Sequence, residues 1–343
     1  MKKQLFQYPT RHASSLPART IFVEGVTAEG MVHPMAEIFV NLKRFEVARS
    51  KGGLCPQEDP IAWIETVIDE TVDQVTKRFN DLHLTYLLPE SLVPPAVRRV
   101  QARDPEMQGR LSIGVQGVHW QDIQPGKNFG AFTTSLPAAA AANLGSQWAI
   151  VGHSEERRAK SQIMQAFDPG IEEDAKLRTR ANQAIDQLVQ AEVECALNAG
   201  LMVLLCVGET AEERGGGDFA EQRARVEAVL KNQLLTGLSG AEQAVQARSV
   251  VIGYEPVWAI GPGKTPPGKE YIAFVSEFIK AVTREAFSAE IPVVYGGGLK
   301  EENAAMLASI ETIDGGLIAL TRFTGEIGFD VQGLKGIVEK YTA

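Results

Sequence analysis

Three residues of complementary chemistry, Lys43, His153 and Glu255, each stand at the end of a short run of aliphatic or β-branched residues. A carboxylate in an apolar setting, here Glu255 between Tyr254 and Pro256, is suited to act as a general base. An imidazole can polarise a carbonyl group, and an ammonium can neutralise an anionic substrate or a developing enolate oxygen. Together the three side chains predict proton abstraction beside a carbonyl.

Lys43 and His153 also have ordinary structural explanations, whereas Glu255, inside an apolar stretch and before a proline, is harder to explain structurally. A lysine at a strand end is often a solvated charge, and other histidines (His12, His33, His83 and His119) occur without an evident role. Coincidence of all three at strand ends is much rarer than any one alone. His153 also precedes Ser154-Glu155, a helix start whose N-terminus favours a neutral imidazole.

The elements that must position these residues alternate between two types. Continuous apolar runs are typical of parallel strands buried on both faces, and they lie at 37–41, 82–88, 111–115, 148–151, 202–206, 250–254, 292–295 and 316–319. Helical periodicity covers 61–79, 174–199, 221–235 and 269–286, whereas the segment after the second run is interrupted by Pro94-Pro95.

Strands alternating with helices specify an α/β fold, either a doubly wound sheet or a (βα)8 barrel. The length of 343 residues fits two domains or one barrel with insertions. Eight units without a break in composition favour the barrel, which we predict as one domain over 35–343 after an N-terminal extension over 1–34. In a barrel, residues at strand ends meet at one mouth.

Composition excludes several classes of protein. Lys+Arg 34 against Asp+Glu 43 gives a net charge of −9, which argues against nonspecific nucleic-acid binding. No apolar run approaches membrane-spanning length, and the first residues, which lack an apolar stretch, predict no secretory signal. The widely spaced Cys55, Cys195 and Cys206 form no disulfide framework or metal knuckle, so we expect a cytoplasmic protein.

Two glycine-containing loops suggest how a substrate is held. The apolar stretch 256–266 suits a lid that excludes water, although Trp258 could simply pack on the barrel. Gly296-Gly297-Gly298 could present backbone N–H groups to an anion, although a glycine triplet also forms tight turns.

These residues together resemble the triosephosphate isomerase family. The matching stretches, in the family's order, are Asn41-Leu42-Lys43, Gly152-His153-Ser154-Glu155, Cys206-Val207-Gly208-Glu209, Tyr254 to Gly261 with Lys264-Thr265, and Tyr295-Gly296-Gly297. The resemblance implies a TIM barrel with Glu255 as base, His153 as electrophile, Lys43 with Asn41 as the pair that meets substrate charge, and Glu155 as a supporting carboxylate. It also implies substrate contacts at Gly261, a small phosphorylated sugar as substrate, no cofactor or metal, and a homodimer formed through Gly130-Ala131-Phe132-Thr133.

The departures from the family lie in the predicted phosphate site. Gly298 stands where the family has a phosphate-binding serine, and Ala319-Leu320 replace a glycine pair whose amides approach the phosphate. Side chains there would push the ligand outward, and Arg322 could compensate or be an ordinary surface arginine.

The resemblance therefore implies triose-phosphate isomerisation, with three alternatives. An isomerase of a four-carbon ketose phosphate would suit the altered phosphate loops, and a catalytically silent binding barrel would explain the missing glycines. A metal-dependent aldolase-type barrel lacks a ligand cluster in the sequence. The surplus length lies before Glu37, between Lys43 and the third strand, and at 160–187, where no candidate catalytic residue occurs.

Overall fold

A computed structural model describes residues 25–26, 32–33, 35–103, 110–261 and 263–343. Two short strands, β1 (Gly25–Val26) and β2 (Val32–His33), pair antiparallel. The rest of the predicted N-terminal extension, apart from these two pairs of residues, lies outside the described residues.

Eight parallel strands close into a barrel in the order β10-β3-β4-β5-β6-β7-β8-β9. They are β3 Ala36–Asn41, β4 Leu82–Leu88, β5 Leu111–Val115, β6 Trp148–Val151, β7 Met202–Val207, β8 Val250–Tyr254, β9 Val293–Tyr295 and β10 Gly315–Ile318. Pairing of Leu317 with Phe39 closes the ring between the last strand and the first. The predicted (βα)8 barrel is thereby confirmed, and each strand lies within a residue or so of its predicted bounds.

Helices follow the strands around the barrel. They are α1 Pro60–Thr71 (continued by a π turn, Val72–Thr76), α2 Val93–Gln101, α3 Ala138–Asn143, α4 Ser154–Phe167, α5 Ala175–Asn198, α6 Ala211–Arg214, α7 Phe219–Gly237, α8 Glu242–Gln246, α9 Lys269–Phe287, α10 Ala304–Ala308 and α11 Val331–Tyr341. Short 3₁₀ turns lie at Arg49–Lys51, Glu90–Leu92, Pro169–Ile171 and Val257–Ala259. Pro94-Pro95 do not interrupt α2 but fall in its first turn, where no intrahelical N–H is needed.

The barrel interior is filled at mid-height by a compact apolar cluster. Its members point inward from all the barrel strands except β5, and they are Phe39, Leu87, Trp148, Ile150, Leu204, Cys206, Val251, Val294 and Leu317. Phe39 meets Trp148 edge-on with ring centroids 5.0 Å apart. A larger apolar layer, between the strands and the helices, holds the outward faces of the strands.

A buried polar chain crosses three neighbouring strands near their amino ends. His83 Nδ1 lies 2.8 Å from Glu37 Oε2, and His83 Nε2 lies 3.1 Å from Ser112 Oγ. All three residues are buried. Because Glu37 and Asn41 stand near opposite ends of β3, this chain lies at the end of the barrel away from the predicted catalytic residues.

Candidate active site

A cavity of about 1100 Å³ opens at the carboxyl ends of the barrel strands. The structure brings nearly all the predicted site residues to its wall: Asn41, Lys43, His153, Glu155, Glu255, Gly261, Gly298, Ala319 and Leu320. The convergence follows from the parallel strands, because each of these residues lies at the end of a strand or in the loop that follows it. Arg322 is not part of the wall.

Lys43 is held in an uncommon backbone conformation, with φ at 32°. Its N–H donates to Asn41 Oδ1 at 3.0 Å, and Gln116 Nε2 donates to that same oxygen at 3.0 Å and to the Lys43 carbonyl at 2.7 Å. The Lys43 ammonium pairs with Glu155. Burial on its own would raise the pKa of Glu155, but the hydrogen bond and charge of Lys43 outweigh it and lower that pKa.

His153 is the N-cap residue of α4, as its sequence neighbours predict. Its Nδ1 accepts a hydrogen bond from the backbone N–H of Glu155 at 3.1 Å, so the ring proton belongs on Nε2. That Nε2 lies 3.3 Å from Glu255 Oε1. The helix N-terminus therefore fixes the imidazole ring with its Nε2 beside the Glu255 carboxylate.

Glu255 follows β8 and is 2% exposed. The Ser154 N–H donates to its Oε2 at 2.8 Å, and Ser154 Oγ lies 3.3 Å from its Oε1. Two glycines make room for it: a Cβ on Gly208 would lie 1.7 Å from the Glu255 carbonyl oxygen, and one on Gly296 would lie 2.6 Å from Glu255 Cγ. These close approaches give both glycines a packing role that the sequence motifs alone did not reveal.

The predicted lid is tied to the barrel by Glu209. This buried carboxylate accepts hydrogen bonds from Trp258 Nε1 at 2.6 Å, Tyr271 OH at 2.9 Å and Tyr254 OH at 3.1 Å. Burial raises the pKa of Glu209, although these hydrogen bonds oppose the shift. The Arg214 guanidinium stacks 3.9 Å from the centroid of the Trp258 ring. Trp258 therefore has polar partners beyond simple packing, while Pro262 lies outside the described residues.

A buried ion cluster braces the strand end that carries His153. Glu156 accepts from the Gly152 N–H at 2.7 Å and pairs with Lys160, whose ammonium also lies 2.7 Å from Glu192 Oε1. Burial and then the neighbouring Glu156 carboxylate raise the pKa of Glu192 to about 9. One ammonium thus lies between two carboxyl groups.

In the eighth loop, Arg322 is placed as an ordinary surface arginine, the second of the two explanations that the sequence left open. Its Nε lies 3.0 Å from Asp330 Oδ2, and its backbone N–H and carbonyl exchange hydrogen bonds with Gly328 at 3.0 and 3.2 Å. This bend brings other residues of the region to the cavity wall, namely Phe323 and Ile327, opposite Lys300 from the seventh loop. Sequence reasoning missed Lys300, and the missing serine at Gly298 was the signal that could have prompted a search for a neighbouring cation.

Other features bear on the excluded classes of protein. Among the residues that the structure describes, no three His, Cys, Asp or Glu side chains come together as a metal-binding group. None of the described helices is long and apolar enough to cross a membrane.

Comparison with known proteins places this geometry in a family. The family model for triosephosphate isomerase matches residues 68–326, a span that holds His153 and Glu255 but begins after Lys43. A triosephosphate isomerase of Marinobacter nauticus is 35% identical over 229 residues, covering 66% of this chain and 76% of the relative. That of Rhodopirellula baltica is 31% identical over 252 residues, covering 72% of this chain and 82% of the relative.

A solved structure supports the same fold. The triosephosphate isomerase of Bartonella henselae superposes with a TM-score of 0.61 at 22% identity, covering 90% of this chain and 99% of that one. At this identity the likeness speaks for the barrel alone. The family model and the two relatives carry the assignment further, and by them the chain belongs to the triosephosphate isomerase family.

Proposed function

We propose that this chain is an aldose–ketose isomerase that interconverts glyceraldehyde 3-phosphate and dihydroxyacetone phosphate. The observation that carries the proposal is the convergence of a carboxylate, an imidazole N–H and an ammonium on one cavity, with Glu255 Oε1 3.3 Å from His153 Nε2. The names of the relatives support the same reaction.

The proposed reaction moves one proton between two carbons and one between two oxygens, and it needs no redox partner. Glu255 takes a proton from the carbon next to the carbonyl, and the electron pair of that C–H bond forms the enediolate double bond. His153 Nε2–H donates to the carbonyl oxygen, and Lys43 stabilises the negative charge that develops there. His153 Nε2 gives its proton to the former carbonyl oxygen and takes the proton of the neighbouring hydroxyl group. Glu255 then returns its proton to the neighbouring carbon, and the newly deprotonated oxygen becomes the carbonyl, which completes the exchange of aldose and ketose.

Two contacts must change during this cycle. Both Glu255 oxygens are engaged by Ser154, so the carboxylate must exchange those hydrogen bonds for the substrate C–H. Closure of the lid formed by residues 256–266 would exclude water from the enediolate. The backbone amides at Gly261, Gly298, Ala319 and Leu320 are the proposed phosphate contacts. Arg322 is left out of this proposal, because its guanidinium pairs with Asp330 and the residue does not line the cavity.

Substitution of Glu255 tests the proposal. We expect Glu255→Gln to lower kcat for glyceraldehyde 3-phosphate by about 10²- to 10⁴-fold, because the amide cannot accept the proton. The matched control is Glu339→Gln on α11, which should retain the wild-type rate. An unchanged kcat in Glu255→Gln would show that this carboxylate is not the base.

A four-carbon ketose phosphate is the second candidate substrate. It is favoured by Ala319 and Leu320, whose side chains line the cavity at the family's glycine pair and would hold the anion further out. Wild-type kcat/KM measured on glyceraldehyde 3-phosphate and on erythrulose phosphates decides between the two. Turnover of triose without tetrose removes this alternative, the reverse result favours it, and turnover of either one excludes a silent barrel.

We further propose a homodimer that works in glycolysis in the cytoplasm. The third loop, which holds 130–133, exposes large apolar side chains, with Phe129 87% exposed and Trp120 42% exposed. All three cysteines are free, as expected in a reducing compartment. Sedimentation equilibrium should give twice the chain mass of 37.2 kDa, and a measured mass equal to that of one chain would contradict the dimer.

A further inference from the structure

The loop after β9 presents a lysine, Lys300, two residues after Gly298, which stands at the position of the family's serine. Gly298 has φ at 97°, a conformation that favours glycine. Asn303 fixes the loop on both sides: its Nδ2 donates to the Gly298 carbonyl at 3.0 Å, and its Oδ1 accepts from the Lys300 N–H at 2.8 Å. The start of the Lys300 side chain is therefore held in a defined position.

The Lys300 side chain folds back beside Gly298. A Cβ built on Gly298 would lie 3.8 Å from Lys300 Cε, its one neighbour within 4 Å among the described residues. A longer side chain from the same loop thus reaches the space next to the absent serine. Its ammonium group lies 4.1 Å from the centroid of the Phe323 ring.

The ammonium of Lys300 is held but not neutralised. In the described part of the chain no carboxylate lies within ion-pair distance of it, whereas Lys43 pairs with Glu155 and Arg157 with Asp186. An aromatic face attracts a cation without cancelling its charge. Lys264 and Arg158 also line the cavity without a described ion pair, but both are exposed, while Lys300 is half-buried.

We propose that Lys300, positioned by the Phe323 ring, binds the phosphate of the sugar phosphate in place of the family's serine. This inference rests on the proposed function and deepens it, because it names the group that confers specificity for a phosphorylated substrate. The long side chain of Lys300 can reach an anion that Ala319 and Leu320 hold further out, which a short hydroxyl cannot do. The charge of the ammonium also compensates for the looser approach of the backbone amides.

Three variants and two substrates test the role of Lys300. For Lys300→Met we expect KM for glyceraldehyde 3-phosphate and the inhibition constant of inorganic phosphate to rise about 10- to 100-fold, the effect of losing a hydrogen bond to a charged group. Lys300→Arg should recover most of this loss. Phe323→Leu, which keeps the charge but removes the ring, should raise both constants about two- to fivefold.

A substrate without phosphate separates binding from general damage. Turnover of glyceraldehyde should be the same in Lys300→Met and wild type, because that substrate makes no contact with the ammonium. The control is Lys340→Met, which removes a nearby exposed charge paired with Glu301 and should behave as wild type throughout. Unchanged constants in Lys300→Met, or an equal loss on glyceraldehyde, would overturn the proposal.

Phosphate binding by Lys300 can be tested even if the proposed function is wrong. If the wild-type chain isomerised no sugar phosphate, calorimetric titration with inorganic phosphate would still decide the role of Lys300. Weaker binding by Lys300→Met than by Lys340→Met supports an anion site at Lys300. Equal dissociation constants in the two variants overturn it.

Discussion

Gln116 connects the loop that carries Lys43 to the neighbouring strands. We predict that the substitution Gln116→Met impairs catalysis, although Gln116 itself does not contact the substrate. The two hydrogens on its Nε2 face three acceptors: Lys43 O at 2.7 Å, Asn41 Oδ1 at 3.0 Å and Leu87 O at 3.3 Å. Methionine has a similar length and fills similar space but donates no hydrogen bond.

The expected loss of activity depends on which of the three acceptors is left without a hydrogen bond. Leu87 O still accepts from Leu42 N at 3.1 Å, and Asn41 Oδ1 still accepts from Lys43 N at 3.0 Å, so the main loss falls on the Lys43 carbonyl. An acceptor left unpaired costs about 1–3 kcal/mol. The φ of 32° at Lys43 stores strain of about 1–3 kcal/mol, which the loop can release once Gln116 no longer holds it.

Relaxation of that backbone would carry the ammonium away from the cavity. Since 1.36 kcal/mol corresponds to a factor of ten in rate, we expect kcat/KM to fall about 10- to 100-fold in Gln116→Met. Gln116→Glu should lose more, because a carboxylate repels the three oxygens. Steady-state kinetics on glyceraldehyde 3-phosphate and thermal unfolding are measured together, with Gln243→Met on α8 as the exposed control. A wild-type kcat/KM in Gln116→Met, even with a lowered Tm, would refute a positioning role.

Two further predictions concern the packing and charge that support the site. Gly208→Ala should lower the free energy of unfolding by about 1–3 kcal/mol or more and should lower kcat, because the new Cβ would lie 1.7 Å from the Glu255 carbonyl oxygen. The control is Gly216→Ala, whose new Cβ would have nothing within 4 Å. Equal Tm and kcat in the two variants would contradict the packing argument. Burial and Glu156 raise the pKa of Glu192 from 4.5 to about 9, so the native state binds more protons than the unfolded state between these values and unfolding free energy should fall as pH rises through them. Glu192→Gln cannot ionise, so its Tm relative to wild type should increase from pH 6 to pH 9, and parallel pH profiles would count against the raised pKa.

The sequence was most informative about the strands. Parallel barrel strands are covered on both faces, so they appear as continuous apolar runs, such as 111–115 and 250–254, rather than as alternating ones. The N-terminal location of Pro94-Pro95 in α2 was harder to predict, since a proline pair equally suits a helix start and an interruption.

At the site, the sequence could indicate residues that stand at strand ends but not those that act through a partner from another strand. Lys43, His153 and Glu255 meet because the ends of parallel strands share one mouth. The contacts of Gln116 depend on which strands are neighbours, and the direction of Arg322 depends on the bend between Thr321 and Gly328. Arginine next to an expected anion site is a reasonable candidate until its carboxylate partner, here Asp330, is known.

The buried chain of Glu37, His83 and Ser112 has a consequence for how the barrel assembles. In the native alignment Glu37 stands opposite His83, and Leu84 stands opposite Leu111, so the polar groups meet only in this pairing. A shift of one residue between the first two barrel strands would turn one polar side chain toward the apolar layer beneath the helices, where its hydrogen bonds could not be made. A shift of two would place Glu37 opposite Thr85 or Asp81 and break the contact with the imidazole. The three residues therefore favour the native register of the first two barrel strands, because every neighbouring register loses their hydrogen bonds. This contribution to fold specificity would exist even if the net effect of the three residues on stability were zero.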